Sequence, residues 1–123
     1  AQMLVNEGEL DGTRFLSPRT IRYMASNHLP GNVDLSIFGR PLHSETTYDG
    51  VGFGLGVSVT IDPVKARVPG NVGDFGWGGA ASTSFWVDPV DRLTVQFFTQ
   101  LLPSGTHPIR SQLKQLVTQA LVD

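Results

Sequence analysis

The sequence contains no cysteine, so this chain cannot form a disulfide, a thiolate zinc site or a cysteine nucleophile. No stretch approaches the ~18 consecutive apolar residues of a membrane-spanning helix, and no signal-peptide pattern opens the chain. Lysine and arginine together number 9 against 11 acidic residues, and no basic run occurs. The sequence therefore predicts a soluble chain with no nucleic-acid partner and no membrane partner, and it leaves the compartment open.

Charged residues are also scarce. They make up 16% of the chain, whereas globular domains average about 25%. A surface with few charges indicates areas that other protein covers. With 123 residues, the chain is long enough for one domain at most, and we expect residues 1–123 to form a single incomplete domain.

The first part of this domain, residues 1–50, has little regular periodicity. Its apolar opening followed by Gly8 and Gly12 indicates the last turn of a helix. Ser17 followed by proline is typical of a helix start, and the apolar spacing predicts a helix over about 18–27. From residue 30 to residue 50, proline, glycine and small polar residues predict a long loop.

The second part, residues 51–123, is predicted to be a sheet plus a helix. Apolar residues alternate with glycines from Val51 to Ile61, which predicts one strand with a bare glycine face that another backbone can approach closely. After a turn-rich loop over residues 62–73, further strands are predicted near 74–79, 83–88 and 93–101. An amphipathic helix is predicted after Pro108, with one apolar stripe facing the sheet that consists of Ile109, Leu113, Leu116, Val117, Ala120 and Leu121. The fold class is therefore α+β, with an antiparallel sheet of about four strands and a C-terminal helix packed on one face.

Two short motifs match known catalytic or cofactor-binding patterns, and we interpret both matches as coincidental. Ser111 and Lys114 fit S-x-x-K, which places an amine one helical turn from a hydroxyl. Polar pairs at this spacing are common on solvated helix faces. Residues 76–81 fit G-x-G-x-x-A, but a dinucleotide fingerprint must open a helix, and no helical pattern follows.

The histidines His28, His43 and His107 show no spacing that metal ligands use. A Ser-His-Asp triad built on His43 would lack the G-x-S-x-G sequence that marks a nucleophile. We therefore expect no metal and no cofactor.

The segment from Asp74 to Pro89 is a more specific signal than the short motifs above. It reads D-F-G-W-G-G-A-A-S-T-S-F-W-V-D-P. It resembles the C-terminal part of the serine β-lactamase-fold hydrolases, above all the class C β-lactamase-related group and the family VIII carboxylesterases, with penicillin-binding-protein-like relatives. In that group W-G-G replaces the K-T-G of classical β-lactamases. The resemblance covers the whole chain, since matching segments occur in order at 1–4, 12–18, 24, 27–30, 52–56 and 86–89.

The resemblance implies a site. Trp77, Gly78 and Gly79 would form a substrate-binding wall of the acyl-binding cleft, and the backbone N–H of Ala80 would be half of an oxyanion hole. Glycines at 78 and 79 would let substrate lie against the strand. From the residues alone, the alternative is that Trp77 is a packed aromatic and that the glycines form a bend.

The chain departs from the family pattern in one decisive way. The family's S-x-x-K and its tyrosine motif precede the W-G-G strand, but no S-x-x-K precedes Trp77, and neither Tyr23 nor Tyr48 begins Y-x-N. The resemblance therefore implies a C-terminal fragment of a hydrolase that cleaves esters or amides such as β-lactams through an acyl-enzyme. The fragment would be inactive alone.

Two kinds of partner follow from this departure. The expected partner is the N-terminal portion of the same fold, which carries S-x-x-K, and the alternative is self-association. The complete enzyme would take a small ester or lactam as its substrate. The competing function is a non-catalytic interaction or structural module that binds another chain through its sheet edge.

Overall fold

The computed structural model describes residues 1–39 and 48–122. The described chain has five α-helices, α1 to α5, and seven strands, β1 to β7. In chain order the helices are Gln2–Val5, Pro18–Met24, Leu35–Phe38, Pro63–Ala66 and Ile109–Ala120, and the strands are Glu9–Leu10, Thr13–Arg14, Val51–Phe53, Ser58–Thr60, Phe75–Gly78, Ser84–Asp88 and Leu93–Phe97. Strands β1 and β2 form a hairpin, and β3 to β7 form an antiparallel sheet in sequence order.

Local backbone conformation and hydrogen bonds set the ends of the N-terminal helices. Helix α1 ends before Gly8, whose φ is +98° and whose missing Cβ would overlap the Leu16 carbonyl. At α2 the Ser17 side chain caps the helix by accepting the Thr20 N–H. This helix ends three residues before the predicted boundary because the Met24 carbonyl accepts the Leu55 N–H instead of continuing the helix.

Residues 30–39 were expected to be loop, but they contain a 3-10 turn at Pro30–Asn32 and helix α3. Asp34 explains the second element. Its carboxylate accepts the N–H groups of Ser36 and Ile37 at the start of α3, and its other oxygen accepts the Gly50 N–H at 3.0 Å. The remainder of the predicted loop, residues 40–47 with His43, lies outside the described residues.

The single strand predicted from Val51 to Ile61 is wrong, because these residues form the β3–β4 hairpin. The reversal lies at residues 54–57, where Gly56 has a φ of +86°. A two-residue period continues through both strands of a hairpin, so alternation alone could not show this break. The expected close approach at the glycine face does occur, since a Cβ on Gly52 would overlap the Asn27 side chain and one on Gly54 would overlap the Met24 carbonyl.

The three strands that follow are confirmed as an antiparallel meander, which gives five strands rather than about four. Strand β5 pairs with β6 over its whole length but with β4 only at Phe75 and Gly76. The loop expected at 62–73 contains the short helix α4, which Asp62 caps through the N–H groups of Val64 and Lys65.

The core lies on one face of the sheet. Val59, Phe75 and Val87 are neighbours across β4, β5 and β6, and they pack against Val5 and Ile21 from the two N-terminal helices. All of these side chains are buried.

Helix α5 reaches the sheet through polar side chains more than through the predicted apolar stripe. Leu113 is half-buried, whereas Leu116 and Leu121 of that stripe are exposed. Lys114 and Arg110 instead extend from α5 to Asp74 and to the β5–β6 turn. No helix within residues 1–39 and 48–122 has the length and apolar character to cross a membrane.

Candidate functional site

The edge of β5 is open beside the W-G-G sequence. The Gly79 N–H points toward β6, where it donates to the Thr83 carbonyl at 2.9 Å, and the Asp74 carbonyl points toward β4, where it accepts the Thr60 N–H at 2.7 Å. Backbone groups of alternate residues point to opposite sides of a strand. The N–H and C=O of Gly78 therefore point away from β6, and in the described part of the chain no strand pairs with that edge beyond Gly76.

A buried anchor holds the turn that follows β5. The Gly79 carbonyl accepts the Ser82 N–H at 3.1 Å, which closes a four-residue turn. Ser82 is 1% exposed and has a φ of +68°, a conformation that non-glycine residues rarely adopt. Its hydroxyl donates to the Leu101 carbonyl at 2.7 Å, and the Leu101 N–H donates to the Ala81 carbonyl. The turn is therefore fixed to the segment after β7.

Ala80 lies at the exposed tip of this turn. Its N–H donates to no acceptor among the residues that the structure describes, in contrast to the N–H groups of Gly79 and Ser82. Because Ala80 is exposed and its N–H has no acceptor among the described residues, this N–H is a candidate donor to a ligand oxygen.

Trp77 is a packed aromatic, as the alternative interpretation expected, and its role as a substrate-binding wall stays a prediction. Its ring packs edge-to-face on Phe53 with the centroids 5.0 Å apart. It is still 42% exposed. It also lines a cavity of about 450 Å³ together with Leu4, Phe85 and Phe98.

The structure gives the two glycines of W-G-G a steric role that differs from the expected one. A Cβ on Gly78 would lie 2.6 Å from the Arg110 guanidinium, and a Cβ on Gly79 would lie 2.5 Å from the Thr83 hydroxyl oxygen. The space that glycine leaves here is filled by the chain's own side chains, because α5 and the turn approach the strand closely. The β4-side edge of β5 beyond Gly76 is left unpaired by any strand of the described residues.

Sequence reasoning missed Arg110. This residue occupies the first turn of α5, and its Nη2 donates to the Gly79 carbonyl at 2.7 Å and to the Thr83 carbonyl at 3.1 Å. The only sequence signal was a basic residue next to Ile109 at the start of a helix expected to face the sheet with apolar side chains.

The S-x-x-K residues lie on the other side of the sheet from the core. Ser111 lines a cavity of about 170 Å³ between α5 and the sheet, and its hydroxyl donates to the Pro108 carbonyl at 3.2 Å. Lys114 is ion-paired with Asp74, with 2.7 Å between Nζ and Oδ2. Burial raises the pKa of the Asp74 carboxyl above its usual value, and the hydrogen bond from Lys114 only partly opposes this.

The Asp88 carboxylate, in the sequence W-V-D-P, holds the β6–β7 turn through hydrogen bonds. It accepts the N–H groups of Val90 and Asp91, which closes the β6–β7 turn, and it also accepts the Asn71 amide at 2.8 Å. Burial alone would raise the pKa of Asp88, but these donors outweigh burial and lower it.

His28 and His107, the two histidines within the described residues, each have separate surroundings. The His28 ring contacts the Tyr23 carbonyl at 2.6 Å and packs edge-to-face on the Tyr23 ring, and His107 precedes α5 on the surface. Within residues 1–39 and 48–122, no group of three or more His, Asp or Glu side chains could hold a metal ion.

Solved structures of the serine β-lactamase-like fold match this chain, with its five-stranded antiparallel sheet and C-terminal helix. One is EstCE1, described as a hydrolase with promiscuous acyltransferase activity, with a TM-score of 0.68 and 26% identity over 94% of this chain and 27% of that one. Another is unliganded simvastatin synthase (LovD) from Aspergillus terreus, with a TM-score of 0.67 and 20% identity over 92% of this chain and 30% of that one. The predicted resemblance is confirmed for the fold.

The curated relatives are mycobacterial. Protein Rv1367c from Mycobacterium tuberculosis strain H37Rv is 37% identical over 106 residues, which are 83% of this chain and 25% of that protein. The counterpart from strain CDC 1551 gives the same values. The chain thus spans about a quarter of the length of these relatives. No family model matches the chain.

Proposed function

We propose that this chain supplies one wall and one oxyanion donor of the acyl-transfer site of a β-lactamase-like serine hydrolase. The observation that carries the proposal is the exposed residue Ala80 at the end of the open β5 edge, whose N–H has no acceptor among the described residues. The likeness to EstCE1, a hydrolase with acyltransferase activity, supports the same class of reaction.

The proposed chemistry proceeds through an acyl-enzyme. A serine oxygen attacks the carbonyl carbon of an ester, amide or lactam, and negative charge develops on the carbonyl oxygen. The C–O or C–N bond then breaks as the alcohol or amine takes up the proton that the serine gave up, and in a lactam the freed amine stays attached to the acyl group. Water then attacks the acyl-enzyme, which releases the acid and restores the serine hydroxyl. A preorganised N–H aimed at the developing charge lowers the barrier by about 3 to 4 kcal/mol. Ala80 provides that N–H, and Trp77 provides the exposed aromatic surface against which a small substrate packs.

The nucleophile in this proposal comes from an S-x-x-K segment outside this sequence. Ser111 and Lys114 do not supply it, because Ser111 donates to a backbone carbonyl and Lys114 is paired with Asp74. We expect the 123-residue chain alone to hydrolyse neither p-nitrophenyl esters nor a chromogenic cephalosporin above background. A stoichiometric burst with covalent label on Ser111 would contradict this expectation.

The test uses the complete enzyme, meaning an assembly or polypeptide that contains both this chain and an S-x-x-K segment. Ala80→Pro removes the donor and should lower the acylation rate by roughly 10² or more. The comparison variant is Trp77→Phe, which keeps a ring on the wall and should change substrate affinity more than acylation rate. If Ala80→Pro folds, by circular dichroism, and acylates at the parent rate, the proposal is wrong.

A second candidate function is a non-catalytic module that binds another chain at the outer edge of β7. No strand of the described residues pairs with that edge, Phe98 beside it is 80% exposed, and no Asp, Glu, Lys or Arg occurs from Leu93 to Ile109. Edges without charges recruit strands of other chains. This function predicts that Ala80→Pro and Trp77→Phe both leave activity of the complete assembly unchanged.

A further inference from the structure

We propose that Arg110 is a positioning residue that orients the Ala80 N–H by holding the Gly79 carbonyl. The inference rests on the proposed function and names the side chain that would preorganise its oxyanion donor. Arg110 lies 31 residues from Gly79 in sequence, yet its Nη2 is 2.7 Å from the Gly79 oxygen and 3.1 Å from the Thr83 oxygen. These two carbonyls flank the turn whose tip is Ala80.

Peptide geometry connects the two groups. The Gly79 C=O and the Ala80 N–H belong to one planar trans peptide, so they point in opposite directions. A donor that fixes the oxygen therefore fixes the direction of the N–H. Because the donor is a guanidinium, the hydrogen bond is stronger than a neutral one, and it draws electron density from the peptide toward the oxygen. Both effects favour a well-aimed N–H on the opposite side.

The surrounding residues are arranged for this contact. Gly78 leaves the room that the guanidinium occupies, since a Cβ there would overlap it. The Gly79 carbonyl also accepts the Ser82 N–H at 3.1 Å, and Ser82 is anchored to the Leu101 carbonyl. Ser82 thus closes the turn, while Arg110 adds the charged donor from outside it. Loss of Arg110 should leave the turn closed but the Gly79–Ala80 peptide less firmly oriented.

A purely structural role makes a different prediction. If Arg110 only ties α5 to the sheet, its removal should lower the free energy of unfolding without changing the chemistry of molecules that remain folded. If Arg110 positions the donor, its removal should slow acylation with little change in KM, because the oxyanion donor acts on charge that appears only in the transition state.

The experiment compares four variants of the complete enzyme in single-turnover acylation by a p-nitrophenyl ester. Arg110→Gln should lower the acylation rate roughly 10-fold or more, since a misdirected donor loses most of its effect. Arg110→Lys should retain part of the rate because an ammonium can reach one of the two carbonyls. Arg19→Gln removes a positive charge from the exposed surface of α2 and should acylate at the parent rate. Ala80→Pro is the reference for complete loss of the donor.

Affinity for a boronic acid that mimics the tetrahedral intermediate provides the second readout. It should weaken in parallel with the acylation rate across the Arg110 variants, whereas binding of a non-hydrolysed substrate analogue should not change. If Arg110→Gln folds and acylates at the parent rate while Ala80→Pro acylates slowly, the inference about Arg110 is wrong and the proposed function stands. If Ala80→Pro also has the parent rate, the proposed function fails and the inference falls with it. If Arg110→Gln does not fold, the acylation rate of Arg110→Lys is compared with the parent rate instead. A reduced rate supports the inference, and the parent rate overturns it.

Discussion

Lys114 of α5 places its Nζ 2.7 Å from Oδ2 of Asp74, a side chain that is 2% exposed at the start of β5. Lys114 also lies over the Trp86 ring, 5.8 Å from its centroid. The ion pair thus fastens the C-terminal helix to the sheet.

Removing the lysine should therefore be costly. Lys114→Met keeps the length of the side chain and its packing on Trp86 but leaves the Asp74 carboxylate buried without its cation. Breaking a buried pair in this way costs about 3–5 kcal/mol, and we expect a value near the lower end because Lys114 retains 16% exposure. Urea unfolding at pH 7 measures the loss.

The control for this change is Lys65→Met, on the exposed surface of α4, which should shift the unfolding free energy by less than about 0.5 kcal/mol. Adding Asp74→Asn to Lys114→Met should restore part of the stability, since the unpaired charge is then gone. A single Lys114→Met variant as stable as Lys65→Met would show that the pair contributes nothing.

Asp34 predicts a dependence of stability on pH. The Ser36 hydroxyl and the Gly50 N–H hold the pKa of its carboxyl below the usual value, and burial opposes them only in part. Because the folded-state pKa is lowered, the carboxylate stabilises the fold above about pH 4, and that contribution is lost as pH falls through the lowered pKa. Asp34→Asn should cost about 1–2 kcal/mol at pH 7.

The measurement is urea unfolding of the parent and Asp34→Asn from pH 7 downward. The stability gap between them should narrow below about pH 4. Asp11→Asn, at an exposed turn, serves as the control and should change the free energy of unfolding by less than about 0.5 kcal/mol at pH 7. A gap for Asp34→Asn that stays constant down to the lowest pH would contradict the role given to this carboxylate.

The uncharged β7 edge predicts self-association of the isolated chain. Strands with unpaired backbone groups and no charge recruit further strands. Phe98→Lys, at a side chain that is 80% exposed, should reduce association in light scattering without loss of stability, whereas Val90→Lys in the exposed β6–β7 turn should leave association unchanged. A monomeric parent at high micromolar concentration would refute this.

The sequence predicted the elements whose signals are local. Ser17 followed by proline starts α2, and β5 and β6 lie within one residue of their predicted bounds because turn residues interrupt the alternation on both sides. Strand β7 begins at Leu93 as predicted but ends at Phe97 rather than at residue 101, although the apolar alternation continues beyond its end. The β3–β4 hairpin was missed because a reversal at Gly56 preserves the two-residue period. Helix α3 was missed because Asp34 caps it within a segment of turn-forming residues.

The sequence predicted only those residues of the candidate site that are adjacent to one another in the chain. Residues 77–80 are adjacent in sequence, so a resemblance could mark them as a unit. Arg110 and Ser82 act on the same turn through contacts with Gly79 and Leu101 that span 31 and 19 residues. Composition and periodicity carry no information about such contacts. The glycines of W-G-G show the same limit, since their sequence did not reveal that Arg110 and Thr83 fill the space beside them.

The most direct test of the central claim is the crystal structure of the complete enzyme acylated at its serine. We expect the acyl carbonyl oxygen to lie about 2.7–3.1 Å from the Ala80 nitrogen, in line with its N–H. We also expect the Gly79 carbonyl to remain hydrogen-bonded to Arg110 in that structure. An acyl oxygen farther than roughly 3.5 Å from the Ala80 nitrogen, or directed at donors on another segment, would contradict the claim that this turn supplies the oxyanion donor.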